Sequence, residues 1–154
     1  MTHRRSLVVI LSLLSTLAST ASASPELATW EGDAITLARP LEFEIDSHEL
    51  RPQAMPVIES IRDRLRERPG VRVEIQGHTD PAWVCEHCGR RLTQDRAQAV
   101  LVALVRLGID RDRLEARGYA GTRPRRLCDG LRRRARRACQ VGNRRIEIVI
   151  RPSR

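Results

Sequence analysis

Apolar residues recur along this chain with two periods, and each period predicts an element. Leu41-Glu42-Phe43-Glu44-Ile45 alternates apolar and acidic positions, which predicts a strand. From Pro52 to Arg68, Val57, Ile58, Ile61 and Leu65 fall on one helical face with charge elsewhere. Pro56 must sit in the first turn of that helix, because deeper it would remove a hydrogen bond and clash. Pro69-Gly70 ends it. Val71 to Gly77 alternates again and predicts a second strand. Ala97, Val100, Leu101, Leu104 and Leu107 form the face of a second helix, opened by Leu92-Thr93-Gln94-Asp95-Arg96 and closed at Gly108. Leu114 to Tyr119 reads as a weaker third strand. Arg144 to Arg151 reads as the last, with Ile146, Ile148 and Ile150 set against Arg145, Glu147 and Val149.

The alternation bears on architecture. Strands buried on both faces read as continuous apolar runs, whereas these have one apolar and one polar face. The expectation is an α+β two-layer sandwich in the order β-α-β-α-β-β, with a mixed four-stranded sheet and helices on one face. The first βαβ crossover predicts parallel pairing of strands one and two, with an antiparallel last strand. Residues 24–39 read as a linker and 40–152 as one domain.

The N-terminus adds a compartment. Arg4 and Arg5 precede an apolar stretch, Leu7 to Leu17, followed by small residues ending in Ala21-Ser22-Ala23. That order predicts a secretory signal over residues 1–23, cut after Ala23. No cysteine lies near the cut, so lipid attachment there is not expected. The predicted location is the periplasm or the periplasmic side of the outer membrane. The chain of 154 residues has a formal charge of +9, and all 28 basic residues are arginine. Loss of residues 1–23 would remove two arginines and no acid, leaving +7. An exported protein meets no genome, and 3% aromatics supply no stacking platform, so nucleic acid is excluded as a partner. The charge points to anionic polymers of the envelope.

Candidate chemistry gathers at strand–helix junctions. Gly77-His78-Thr79-Asp80 closes the second strand, Leu92 to Ala97 opens the second helix, Gly118-Tyr119 ends the third strand, and Asn143-Arg144-Arg145-Ile146-Glu147-Ile148 forms the last. With Phe43-Glu44-Ile45-Asp46-Ser47 and Leu50-Arg51-Pro52, these motifs resemble the OmpA-like peptidoglycan-binding domain, the module of OmpA, Pal and MotB-type proteins. The resemblance runs from about Leu41 to Arg151 and implies non-covalent binding of peptidoglycan through the diaminopimelate of its stem peptide. The residue chemistry suits that ligand independently. Diaminopimelate ends in an ammonium and a carboxylate. Asp80 can accept from the first, and Arg96 can fork onto the second in a way lysine cannot copy. A simple Asp80–Arg96 ion pair is the plainer alternative. Asp46, Thr79 and Arg144 complete the binding set the resemblance implies. His78 reads as structural. Where family members usually carry an asparagine seven residues before the binding arginine, this chain has Gly89, and the loop from Asp80 to Arg96 is one residue longer.

Four cysteines allow three pairings. The resemblance implies a Cys128–Cys139 bridge closing an insert before the last strand, which leaves Cys85 and Cys88. A local Cys85–Cys88 disulfide is expected in an oxidising compartment. The alternative is a periplasmic thiol–disulfide or zinc-binding protein using that CxxC. Against it, one CxxC lacks the second half of a zinc-ribbon spacing, and the pair is not expected at a helix start. No Ser/His/Asp triad or paired-carboxylate arrangement is legible, so no enzyme and no cofactor are expected. Residues 123–137 hold eight arginines and one acid. Either they form a solvated insert, or Arg132, Arg133, Arg134, Arg136 and Arg137 hold an anionic polymer or lipopolysaccharide phosphate.

Overall fold

A computed structural model describes residues 26–81 and 85–151. The signal expected over residues 1–23 lies outside them. Two short strands, β1 (Ala28–Glu31) and β2 (Ala34–Leu37), come first and form a hairpin turned at Gly32-Asp33. The helix α1 (Met55–Glu67) follows a single 3-10 turn over Pro52–Ala54, and Pro56 falls in its first turn. Then come β3 (Val73–His78), α2 (Glu86–Arg106), β4 (Leu114–Gly118), α3 (Arg133–Val141) and β5 (Arg145–Ile150). The sheet order is β1-β2-β5-β3-β4, with β3–β4 parallel and the other pairs antiparallel.

The class is α+β as expected, but the sheet has five strands, and the first predicted strand is not among them. Residues 41–45 form one isolated bridge, Phe43 with Leu50, and then curl back. Asp46 turns the chain at φ 51°, and Ser47 Oγ accepts from the Glu49 amide at 3.0 Å. Leu41 is buried, but Ile45 is 83% exposed, so the alternation ends before it can pay into a core. The place beside β5 is taken by β2, from the stretch 24–39 expected as a linker. The parallel crossover is therefore β3-α2-β4 rather than one involving residues 41–45. The third helix, inside the arginine segment, was not expected either.

Both long helices lie on one face. Val57, Ile58, Ile61 and Leu65 of α1 and Ala97, Val100, Leu101 and Leu104 of α2 close over Ala28, Ile35, Val73, Ile75, Ile146 and Ile148. The other face of β3 carries Glu74, Gln76 and His78, and these are buried too. Tyr119 donates to Glu74 at 2.6 Å and stacks on His78 at 5.5 Å, and Gln76 donates to Glu74 at 2.9 Å. Arg145 and Arg125 reach Glu147 at 2.7 and 2.9 Å. Apart from His78, whose ring is stacked and not hydrogen-bonded, the polar face is thus a hydrogen-bonded layer, which is how buried polar groups avoid a desolvation cost.

Candidate functional site

The site begins where β3 ends, and its geometry is set by backbone contact. A Cβ on Gly77 would lie 2.1 Å from the Thr93 carbonyl oxygen, and one on Gly118 would lie 2.5 Å from the Gln94 amide. Only glycine at both positions lets α2 sit this close to the two parallel strands. Thr93 Oγ1 then accepts from the Ala120 amide at 3.2 Å, while Gln94 accepts from the Gly118 amide at 2.8 Å and donates to the Ala116 carbonyl at 3.1 Å. The Thr79 amide donates to the Ala120 carbonyl at 2.9 Å. One turn of α2 is thereby fixed against the end of β3. Arg96 and Asp80 project from those two pieces.

Arg96 Nε donates to the Ser47 carbonyl at 2.9 Å, and its guanidinium lies 4.9 Å from the centre of the Phe43 ring. Burial pushes this guanidinium below its ordinary pKa. The Asp46 carboxylate opposes that shift, and Arg144 reinforces it. Asp80 is buried, and Arg144 Nε donates to its Oδ2 at 2.8 Å. Asp80 therefore takes Arg144 as its partner, not Arg96 as the plainer alternative had it. A cavity of about 160 Å³ is lined by Leu41, Phe43, Thr93, Arg96, Arg144 and Ile146 among others. Asp80 does not line it, but its partner does. Thr79 is fully buried and acts through its backbone. Asp46 stands beside Arg96, on the turn that the Phe43–Leu50 bridge closes.

What the arrangement can do follows from its charges. Three arginines, Arg96, Arg144 and Arg145, line one small cavity; Arg145 is tied to Glu147, one carboxylate stands directly behind Arg144, and another faces Arg96. A ligand carrying both an ammonium and a carboxylate finds a partner for each. Sequence reasoning missed the residues that aim Arg96, namely Phe43 and the Ser47 carbonyl. Phe43 is the only phenylalanine in the chain, and its place in a loop rather than a strand hid that role.

Asn143 is a fastener rather than a pocket residue. Fully buried, it accepts from the Arg125 and Arg126 amides at 2.8 and 3.0 Å and donates to the Arg126 carbonyl at 2.9 Å. His78 lines the cavity, but it is buried under Tyr119 with neither ring nitrogen hydrogen-bonded, and Glu147 is 3.5 Å away. Burial, reinforced by Arg145, lowers its pKa to about 4, so the ring is neutral at neutral pH.

The cysteines are joined Cys85–Cys88 and Cys128–Cys139. The expectation that the CxxC avoids a helix start does not hold. α2 begins at Glu86, ahead of the opening predicted at Leu92, Cys85 is its N-cap, and the Cys85 sulfur accepts from the Cys88 amide at 3.1 Å. Gly89, in place of the family asparagine, is buried in that first turn, and its carbonyl accepts from Thr93 Oγ1 at 2.8 Å. Among the described residues no group of three His, Cys, Asp or Glu side chains could hold a metal.

Comparison with known proteins places these features in a group. Residues 42–138 match the model of the OmpA family. Outer membrane porin F of Pseudomonas fluorescens is 29% identical over 110 residues, 71% of this chain and 32% of that protein. The probable lipoprotein YiaD of Escherichia coli is 29% identical over 126 residues, 80% of this chain and 54% of that protein. The chain thus spans between a third and about half the length of these relatives. Among solved structures, the peptidoglycan-associated lipoprotein from Burkholderia pseudomallei is 28% identical with a TM-score of 0.60, covering 73% of this chain and 90% of that one. A periplasmic domain of Helicobacter pylori MotB shares the fold at 23% identity and a TM-score of 0.64, covering 91% of this chain and 86% of that one.

Proposed function

The chain belongs to the OmpA family, and on that premise we propose that it binds peptidoglycan non-covalently through the diaminopimelate of the stem peptide, as a binding module of the cell envelope rather than an enzyme. The observation that carries this reading is the charge arrangement around the small cavity: Arg96 and Arg144 on its wall, with the buried Asp80 2.8 Å behind Arg144.

In this reading the ligand carboxylate lies against Arg96, whose guanidinium is held by Ser47 and Phe43 and has little rotamer freedom left to lose. The ligand ammonium competes with Arg144 for Asp80. Arg144 is half exposed, so it can swing outward and add a second donor for the carboxylate without being stranded in a dry interior. Burial makes Asp80 a strong acceptor for a cation because water screens it poorly. Asp46 completes the cleft from the turn opposite. Only a ligand with both charges satisfies both ends, and that favours diaminopimelate over a stem peptide whose third residue ends in an amine alone.

The relatives' outer-membrane and lipoprotein names support a place in the envelope. A cleaved leader fits that place, and N-terminal sequencing of exported material should then begin at Ser24. The functional test is a pull-down on purified sacculi, with free diaminopimelate as competitor. Retention that diaminopimelate releases is expected. No retention would overturn peptidoglycan binding, and retention that diaminopimelate leaves unchanged would overturn the assigned ligand.

A further inference from the structure

The segment between β4 and β5 carries charge that the rest of the molecule leaves unmatched. Residues 123–137 hold eight arginines and a single acid, Asp129. The domain engages two of the eight: Arg123 lies 3.7 Å over the Tyr119 ring, and Arg125 pairs with Glu147. The side chains of Arg126, Arg132, Arg133, Arg134, Arg136 and Arg137 make no ion pair or hydrogen bond with any described residue.

α3 gives these charges a direction. At about 100° per residue, Arg133, Arg134, Arg136 and Arg137 fall within an arc of about 160°. Ala135, Ala138 and Cys139 fall on the opposite side, the side from which Cys139 is bonded to Cys128. Four like charges on one helical turn and a half repel one another and gain nothing from the core, since α3 has no buried residue. The helix is nevertheless held in place. Cys128–Cys139 closes the segment and Asn143 fastens its first strand of backbone through three hydrogen bonds.

Apolar side chains are displayed on the same segment. Leu127 is 77% exposed, Val141 63% and Leu131 38%, half of the large exposed hydrophobic residues of the described chain. Leu127 and Leu131 bracket the gap before α3, and Val141 is its last residue, so the apolar groups frame the arginines rather than hide beneath them.

We propose that this insert is a docking surface for an anionic lipid headgroup layer. Guanidiniums fork onto phosphate oxygens, a geometry that suits planar donors. A soluble polyanion would use the arginines and leave Leu127, Leu131 and Val141 in water. A lipid surface uses both, taking the charges at the phosphates and the three apolar side chains at the boundary with the acyl chains. The contact is peripheral: among the described residues no helix is long and apolar enough to cross a membrane. The insert leads directly into Arg144, so the lipid surface and the charged cleft are neighbours along the chain but share no residue.

The test is flotation of the purified chain with vesicles of phosphatidylcholine alone or with phosphatidylglycerol added, at low and high salt, with variants run in parallel so that any contribution of the N-terminal segment cancels. Binding to the anionic vesicles, weakened by salt, is expected. Each basic residue near such a surface is worth roughly fivefold in binding. Arg133→Glu with Arg137→Glu should therefore lose at least ~25-fold, and Leu127→Ser with Leu131→Ser should also weaken binding. Both pairs should keep the wild-type melting temperature and sacculus retention. No preference for anionic vesicles, or an arginine pair that binds like wild type, would overturn the proposal. So would soluble polyphosphate binding with the leucine pair unaffected, which would make the ligand a free polymer.

Discussion

Asp80 and Arg144 form one ion pair from unequal positions, and that inequality separates a binding role from a structural one. The Asp80 side chain is 5% exposed and the Arg144 side chain 51%. Asp80→Ala leaves a guanidinium that water already reaches, so the loss of folding stability should stay within about 1 kcal/mol. Arg144→Ala instead leaves a carboxylate buried with the one ionic partner it has among the described residues gone, and an unsatisfied buried acceptor costs about 1–3 kcal/mol, more when charged. At ~4 °C per kcal/mol for a domain of this size, a loss of about 2 kcal/mol lowers the melting temperature by roughly 8 °C. Binding should rank the two the other way. Asp80→Ala removes the acceptor for the ligand ammonium, at about 2–5 kcal/mol, or a ~30- to ~5000-fold loss. Calorimetric melting and a sacculus titration on both variants measure the two quantities. If Asp80→Ala melts as low as Arg144→Ala and still binds sacculi, the carboxylate is a structural clasp and the assigned role is wrong. Arg96→Ala is a poorer probe, because Arg96 also holds the turn at Ser47.

The close approach of α2 to β3 makes Gly77→Ala severe: with a methyl 2.1 Å from a backbone oxygen, about 3 kcal/mol or more should be lost in thermal melting. His78 binds its proton near pH 6.5 when unfolded but only near pH 4 in the fold. The unfolded state therefore holds more protons between these values. Stability should be intact above about pH 6.5 and fall, by up to about 3 kcal/mol, as pH drops through about 4. Denaturant melts against pH should show that slope, and His78→Gln should flatten it. Cys128→Ser with Cys139→Ser reopens an eleven-residue separation and should cost about 3 kcal/mol, with sacculus retention unchanged. Equal melting of wild type and double variant would show that Asn143 alone holds the insert.

The parts of the fold legible in the sequence are those where one residue's neighbours in the chain decide its environment. The helical faces of α1 and α2 and the alternation of β3 and β5 are of that kind. The hairpin β1–β2 was legible in principle: two four-residue runs separated by Gly32-Asp33 are a hairpin signal, obscured by the polar residues around them. Residues 41–45 misled for the opposite reason. Their alternation is genuine, but the strand position beside β5 is filled by β2, and local pattern carries no information about that competition. At the site, the residue types and their order were readable, but their partners were not. Arg144 rather than Arg96 beside Asp80, and Phe43 beneath Arg96, depend on how far loops swing. α3 was invisible because nothing apolar repeats in it.

The order β1-β2-β5-β3-β4 joins the two ends of the described chain. The first hairpin pairs with β5, and β5 is the strand that joins that hairpin to the β3–β4 pair within the sheet. Until β5 is available, β1–β2 has no further strand beside it and can pack only on α1, through Ala28 and Trp30, and two-stranded hairpins are marginal in water. Completion of the sheet thus waits until β5 has been synthesised and depends on contacts of long sequence separation, which form slowly. On the proposed place in the envelope, such delay is useful: a polypeptide that cannot close early remains a flexible thread that a translocation pore can pass.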